Sequence, residues 1–322
     1  FFLFQDVNKT AKEEPYINSI MQNLLECMNE DEIETFLDDT VRKNDFNKNK
    51  KNFVKEIAYR DYMDTIYDRV ENHTCNLSDT GKARLCLGYL WSDSPEDTSG
   101  VHVSVKDVLN EIAPCIDGTK VMAVLYTEWG IWARNAGDNI LAEEKYKSVV
   151  DSYPEDVQSR TELGKLIAAQ KGREKEAEEL FRKVIEIDKE NIQSRTELGK
   201  LISKQKGRKE EAEEIFREAL KIDPKNLHPH TELGILLSRQ GREKEAEEVF
   251  REAMRIDSRH VHSRTGLGKL LTKQKGREKE AEEVLLEALD IEPDDIYAMK
   301  ALARLYEQLN RHKKAAALLN KK

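Results

Sequence analysis

Short signatures of catalysis are missing from this chain. Its 322 residues contain no GxSxG elbow, no HExxH zinc motif and no kinase signature. Its carboxylates are scattered through polar stretches rather than paired in apolar surroundings, where acid–base chemistry would need them. Asp79-Thr80-Gly81-Lys82 ends like a phosphate-binding loop, but the upstream glycine, the preceding apolar strand and the hydroxyl residue after the lysine are missing. The expectation is a chain that is not an enzyme and carries no cofactor, any catalysis residing in domains outside it. Cysteine is scarce. Cys27, Cys75, Cys86 and Cys115 show neither CxxC nor Cys/His spacing, which excludes the common zinc modules and reads as buried free thiols of a cytoplasmic protein. No stretch approaches the roughly 18 uninterrupted apolar residues of a membrane span. The opening Phe-Phe-Leu-Phe is too short for a signal peptide, lacks a basic flank and is not preceded by Met, so the chain reads as part of something larger or as processed. His228 and His230, like His260 and His262, are two residues apart, which does not place both on one helical face. They read as exposed polar residues, and no metal site is expected.

What the chain does have is charge, helix periodicity and repetition. Charged residues make up 36% of it and hydrophobic residues 39%, a balance that fits a helix-rich protein with many surface ion pairs. Residues 1–122 hold 14 Lys and Arg against 23 Asp and Glu, while the remainder balances at 39 of each. An acidic head and a neutral remainder argue against broad attraction to a nucleic-acid backbone. From residue 123 a pattern returns every 34 or 35 residues: SRTELGKLI at 159–167 and 194–202, TELG at 231–234, SRTGLGKLL at 263–271. Each is followed by Gly-Arg and then by AEELF, AEEIF, AEEVF or AEEVL at 177, 212, 246 and 281. A fixed period of this length marks one supersecondary unit stacked on itself.

The units run 123–156, 157–191, 192–226, 227–260, 261–295 and a partial 296–322, each reading helix, glycine turn, helix, short loop. Leu163, Leu166 and Ile167 keep helical spacing in the first helix of the second unit, and Gly164 allows close helix approach. Ala177, Phe181, Val184 and Ile185 form the apolar stripe of its second helix. Pro154, Pro224 and Pro293 fall in the inter-unit loops, where helix continuation is blocked. Glu178–Arg182, Glu213–Arg217 and Glu247–Arg251 are four apart, the spacing of helix-surface ion pairs on a solvated outer face. Residues 1–122 lack the period; 15–28, 31–43, 51–70, 78–91 and 104–113 read as helices of an irregular acidic region, either degenerate repeats capping the array or a small separate domain.

This pattern resembles the tetratricopeptide repeat (TPR) family over about 200 residues. The family's Leu-Gly pair matches Leu163-Gly164, Leu198-Gly199, Leu233-Gly234 and Leu267-Gly268, with Trp129-Gly130 and Leu302-Ala303 at the ends. Its small second-helix residue matches Ala142, Ala177, Ala212, Ala246, Ala281 and Ala315, and its large one Tyr146, Phe181, Phe216, Phe250, Leu285 and Leu319. Where the family has Trp, this chain has Tyr126, Arg160, Arg195, His230, Arg264 and Met299; the Arg stems are expected to cover apolar surface while their heads reach water.

The resemblance implies an all-α, right-handed superhelical solenoid preceded by an irregular helical region. It also implies a concave groove lined by the first helices at the second, fifth, ninth, twelfth and thirteenth unit positions. Here these give Thr161, Thr196, Thr231 and Thr265 at the fifth, Lys165, Lys200, Ile235 and Lys269 at the ninth, and Ala169, Lys204, Arg239 and Lys273 at the thirteenth. The expected groove is basic with a row of hydroxyls, suited to a protein or peptide partner of acidic character, although duplication of one soluble unit would leave the same repetition. The leading expectation is a non-enzymatic interaction scaffold. Two alternatives stand beside it. One is the sensor arm of a larger STAND-type NTPase, of the architecture used in bacterial antiphage immunity, continuous with upstream domains. The other is RNA binding in the basic channel, which lacks interleaved aromatics for base stacking.

Overall fold

The computed structural model describes residues 120–319 and, before them, only 30–33, 66–67, 70, 77–78, 81–82 and 85–86. The helices expected within 1–122 therefore lie largely outside the described residues. Within the described fragments Ile33, Ile66, Tyr67, Leu77, Leu85 and Cys86 are buried. Burial pushes the free Cys86 thiol up to about 12; Cys27, Cys75 and Cys115 lie outside the described residues. Ser78 Oγ accepts from the Gly81 amide at 3.1 Å, and Gly81 and Lys82 are helical.

Among the described residues the regular elements from 120 onward are all helices: α1 Lys120–Asn135, α2 Asn139–Ser152, α3 Val157–Ala168, α4 Glu174–Ile187, α5 Ile192–Ser203, α6 Lys209–Ile222, α7 Leu227–Arg239, α8 Glu243–Ile256, α9 Val261–Leu271, α10 Glu278–Ile291, α11 Ile296–Gln308 and α12 His312–Leu319. They belong to two compact units, residues 1–166 and 167–322, whose division falls within α3.

Local chemistry sets the helix boundaries. In the second unit Asn191, Asn226 and Asp295 cap α5, α7 and α11, each side chain accepting a backbone amide of the first turn. The second helices α4, α6, α8 and α10 begin instead at an arginine without a side-chain cap bond, and acidic residues fill their first turns, as Glu174 and Glu176 do on α4. Between the two helices of a pair the backbone must enter the left-handed region, and Gly172, Gly207, Gly241 and Gly276 do so with φ of 78–90°. In the last pair Asn310 takes this place at φ 57°, the side chain best able to replace glycine there.

Packing explains the spaced small and large residues. A Cβ added to Gly199 would lie 2.5 Å from Phe216 Cε1, one on Gly234 2.6 Å from Phe250 Cε1, and one on Gly268 2.5 Å from Leu285 Cγ. Glycine on the first helix thus admits the large side chain of the second, and Phe181, Phe216 and Phe250 are wholly buried, each worth about 1.5–3 kcal/mol. In the first unit Gly130 meets the Tyr146 ring in the same way, and Lys145 Nζ lies 4.1 Å above the Trp129 ring.

The arginines in the family's Trp place do not behave as expected. Arg195 and Arg264 are only 12% and 11% exposed in their side chains, their nearest carboxylates being Glu218 and Glu287 at 3.9 and 3.3 Å. One guanidinium nitrogen of each is buried without a hydrogen-bond partner. Arg160 donates to the Pro154 carbonyl at 2.6 Å. Arg160 thus folds back onto a local carbonyl, while the heads of Arg195 and Arg264 stop short of water beside second-helix carboxylates.

The expected pairs Glu178–Arg182, Glu213–Arg217 and Glu247–Arg251 form at 2.8–2.9 Å. A second set links successive repeats. Arg208 bonds Glu211 on its own helix and Glu178 on the preceding second helix, both at 2.7 Å. Arg242 does the same with Glu245 and Glu213, and Arg277 with Glu280 and Glu247. The Arg208 and Arg182 guanidiniums bring Glu178 to about 2 against the opposing effect of burial; Arg277 and Arg251 do the same for Glu247, also to about 2.

Candidate functional site

Within the second unit a cleft of about 1020 Å³ runs along α7 and α9 to the start of α11. First helices supply most of its walls: His228, Thr231 and Ile235 from α7, His262, Thr265 and Lys269 from α9, Tyr297 from α11. Phe250 is the lining residue that a second helix contributes. Of the residues expected to face a groove, Lys200, Thr231, Arg239, Thr265, Lys269 and Lys273 are brought together here. Thr196 and Lys204 belong to the same unit but not to this lining, and Thr161 and Lys165 lie on the part of α3 assigned to the first unit.

The threonines are not an exposed row of hydroxyls. Thr161, Thr196, Thr231 and Thr265 are all buried. Thr161, Thr196 and Thr231 donate to the carbonyls of Val157, Ile192 and Leu227 at 2.6, 2.8 and 2.9 Å. The fifth unit position turns toward the neighbouring first helix, where a small side chain fits and the carbonyl four residues back satisfies its hydroxyl. Thr231 Oγ also meets Ser263 Oγ at 3.2 Å, and in the first unit Thr127 pairs with Ser159. Thr265 departs from this. The position equivalent to Ser263 in the next repeat is Ala298, and the buried Thr265 Oγ has no hydrogen-bond partner.

Nor is the wall uniformly basic. Lys165 pairs with Glu162 at 2.7 Å and Lys200 with Glu197 at 3.0 Å, because Thr-Glu-Leu-Gly-Lys sets glutamate and lysine three apart on one face. Burial raises the Glu162 pKa, but bonds from Lys165 and Arg134 outweigh it and hold the carboxyl below its usual range.

Two substitutions break the pairing on adjacent helices. On α7 the lysine place is Ile235, leaving Glu232 with His228 Nε2 at 3.9 Å, and burial lifts its carboxyl above the usual range. On α9 the glutamate place is Gly266, so Lys269 makes no ion pair. Its Nζ lies 5.3 Å over the Tyr297 ring centroid, and burial lowers its pKa against the attraction of Asp295, Arg304 adding to the lowering. Phe250 packs directly on Gly266, where a Cβ would be 2.5 Å from Cε1. Arg239 and Lys273 also lack ion pairs, so the cationic part of the cleft centres on α9 and the end of α7.

The sequence reading passed over Gly266 and Tyr297 and took the histidines for exposed polar residues, whereas His230 is buried. The signal for the first was visible as SRTGLG in place of SRTELG; Tyr297 and His262 share the second unit position with His228. His260 and His262 stack at 5.8 Å, and burial, then His262, lower the pKa of His260. Among the described residues no group of three or more His, Cys, Asp or Glu side chains forms a metal cage, and no helix is long and apolar enough to cross a membrane.

Packed helix pairs, a left-handed turn inside each pair and a cleft walled by first helices define an all-α helical-repeat protein. Residues 204–321 match the middle TPR-like domain of cilia and flagella-associated protein 70, and residues 127–192 match the tetratricopeptide repeat itself. Among solved structures, PilW, a type IV pilus biogenesis factor, is 15% identical with a TM-score of 0.53, covering 62% of this chain and 91% of PilW. PilF of Pseudomonas aeruginosa is 19% identical with a TM-score of 0.50, covering 61% and 88%. At such identities the likeness is one of fold. No curated protein sequence matches the chain. The repeat array is thus tetratricopeptide-like over residues 127–192 and 204–321.

Proposed function

We propose that this chain is a non-catalytic scaffold that holds a protein segment of acidic character in the cleft of α7, α9 and α11. The observation that carries this reading is the set of unpaired cations, Arg239, Lys269 and Lys273, beside Ile235, Gly266 and the exposed Tyr297. Apolar surface with a few oriented charges suits an extended or helical protein segment. It suits a nucleic-acid backbone poorly, because Glu232 lines the cleft and Lys200 is already paired with Glu197. A family built of stacked helix pairs offers surface rather than reacting groups, consistent with a scaffold.

The test is capture of a binding protein on the immobilised chain, repeated with Arg239, Lys269 and Lys273 all changed to Glu. Capture should be lost while far-ultraviolet circular dichroism stays unchanged. Equal capture by the reversed chain would place the binding surface elsewhere and contradict the reading.

A further inference from the structure

Resting on the scaffold reading, we infer that the partner is anchored at one position of the cleft: a side-chain carboxylate from an extended segment docks on Lys269, with an adjacent large apolar side chain seated between Ile235 and Tyr297.

The repeats themselves supply the comparison. On α3 and α5 the groove lysine is already neutralised by the glutamate three residues before it. A ligand carboxylate reaching Lys165 or Lys200 would have to displace that partner and would gain little. On α9 Gly266 removes the competitor, and Lys269 makes no ion pair. The ammonium is held over Tyr297 at 5.3 Å, which orients it without neutralising it. Asp295, the carboxylate acting on it from the α10–α11 loop, is engaged as the α11 cap through the Ala298 amide. Arg304 on α11 adds positive potential from the facing side.

A second, independent feature marks the same spot. Thr265, one helical turn before Lys269 and 4% exposed, borders the cleft, and its buried hydroxyl makes no hydrogen bond. Its counterparts Thr161, Thr196 and Thr231 donate to backbone carbonyls. An unsatisfied buried hydroxyl is costly, and a ligand acceptor would relieve it once the Thr265 side chain turns toward the cleft. The apolar half of the anchor follows from the same substitution. Without a side chain at 266 the cleft wall is recessed where the buried Phe250 ring packs beneath Gly266. Ile235 replaces a lysine beside it, and Tyr297 is 64% exposed. Two departures from the repeat pattern, Ile235 and Gly266, thus converge where the array would otherwise be self-neutralised.

The experiment uses the full chain and a short fluorescent peptide, blocked at both ends, with a central Glu-Phe pair in a Ser/Gly background, read by anisotropy at low salt. Control peptides carry Lys-Phe or Glu-Ala. Lys269→Glu and Lys269→Met should each weaken the Glu-Phe peptide by roughly tenfold or more, whereas Lys165→Glu and Lys200→Glu should change it by less than about twofold. Lys269→Glu should in turn prefer the Lys-Phe peptide, and the Glu-Ala peptide should bind wild type more weakly than Glu-Phe. Equal losses at Lys165, Lys200 and Lys269, or no binding of the Glu-Phe peptide to wild type, would overturn the anchor. If partner capture still depends on the cleft cations in that case, the scaffold reading stands without this anchor; if capture is also indifferent to them, both fall.

Discussion

Replacing Gly199 by alanine inserts one methyl group into the α5–α6 contact, and its effect follows from two opposing terms. The new Cβ would lie 2.5 Å from Phe216 Cε1 and 2.9 Å from both Cδ1 and Cζ, where carbon atoms rest at about 3.5–4.0 Å. The ring is 1% exposed and must retreat by about 1 Å into filled space, an overpacking cost of about 1–3 kcal/mol. Alanine returns about 1 kcal/mol through its better helix propensity. Gly199→Ala should therefore destabilise the wild type by about 1 kcal/mol. In a Phe216→Ala background, which itself costs about 3–5 kcal/mol, the obstacle is gone and the same substitution should stabilise by about 1 kcal/mol. Urea unfolding of the four proteins gives the coupling, expected near 2 kcal/mol. Hydrogen exchange of α5 and α6 supplies the local value if the array opens in parts. The same sign in both backgrounds, or a coupling below about 0.5 kcal/mol, would refute close glycine–phenylalanine packing as the reason for this pair.

Acid should loosen the arginine–glutamate ladder. Glu178 and Glu247 titrate at about 2 in the folded chain, below their ordinary value, so their contribution is present above about pH 4.5 and is lost as pH falls toward about 2. After screening at a partly exposed site it amounts to about 1 kcal/mol each. Urea midpoints that do not fall between pH 5 and pH 2 would contradict this. Arg208→Met, which removes bonds to both Glu178 and Glu211, should lower stability by about 1 kcal/mol at low salt and by less in 1 M salt; thermal unfolding with no salt-dependent difference would argue against the inter-repeat link. Gly207→Ala, at φ 82°, should cost about 1 kcal/mol, whereas Asn310→Gly at φ 57° should be neutral or slightly stabilising. Equal effects at the two turns by urea unfolding would contradict the left-handed requirement.

The helix-pair architecture was readable because small and large residues recur at fixed offsets, and the packing of Gly199 on Phe216 is what that recurrence encodes. The outer ion pairs within one helix were readable for the same reason, since a spacing of four specifies them. Arg208, Arg242 and Arg277 were visible only as half of a constant Gly-Arg, because their partners Glu178, Glu213 and Glu247 sit 29 or 30 residues earlier and meet them only when repeats stack. The cleft was legible in position but not in chemistry. Listing lysines at the ninth position ignored the glutamate three residues before each, and listing threonines at the fifth ignored the adjoining helix that buries them. The departures Ile235 and Gly266 carried more information than the repeated residues, since repetition conserves the stack and an exception changes what its surface offers.

Hydrogen–deuterium exchange of the chain with and without its captured partner tests the working surface most directly. Partner binding should protect amides in 227–239, 261–271 and 296–308, with the largest change around Thr265 to Lys269, and leave the second helices 243–256 and 278–291 unchanged. Protection confined to those second helices, with α7, α9 and α11 exchanging as in the free chain, would contradict the account.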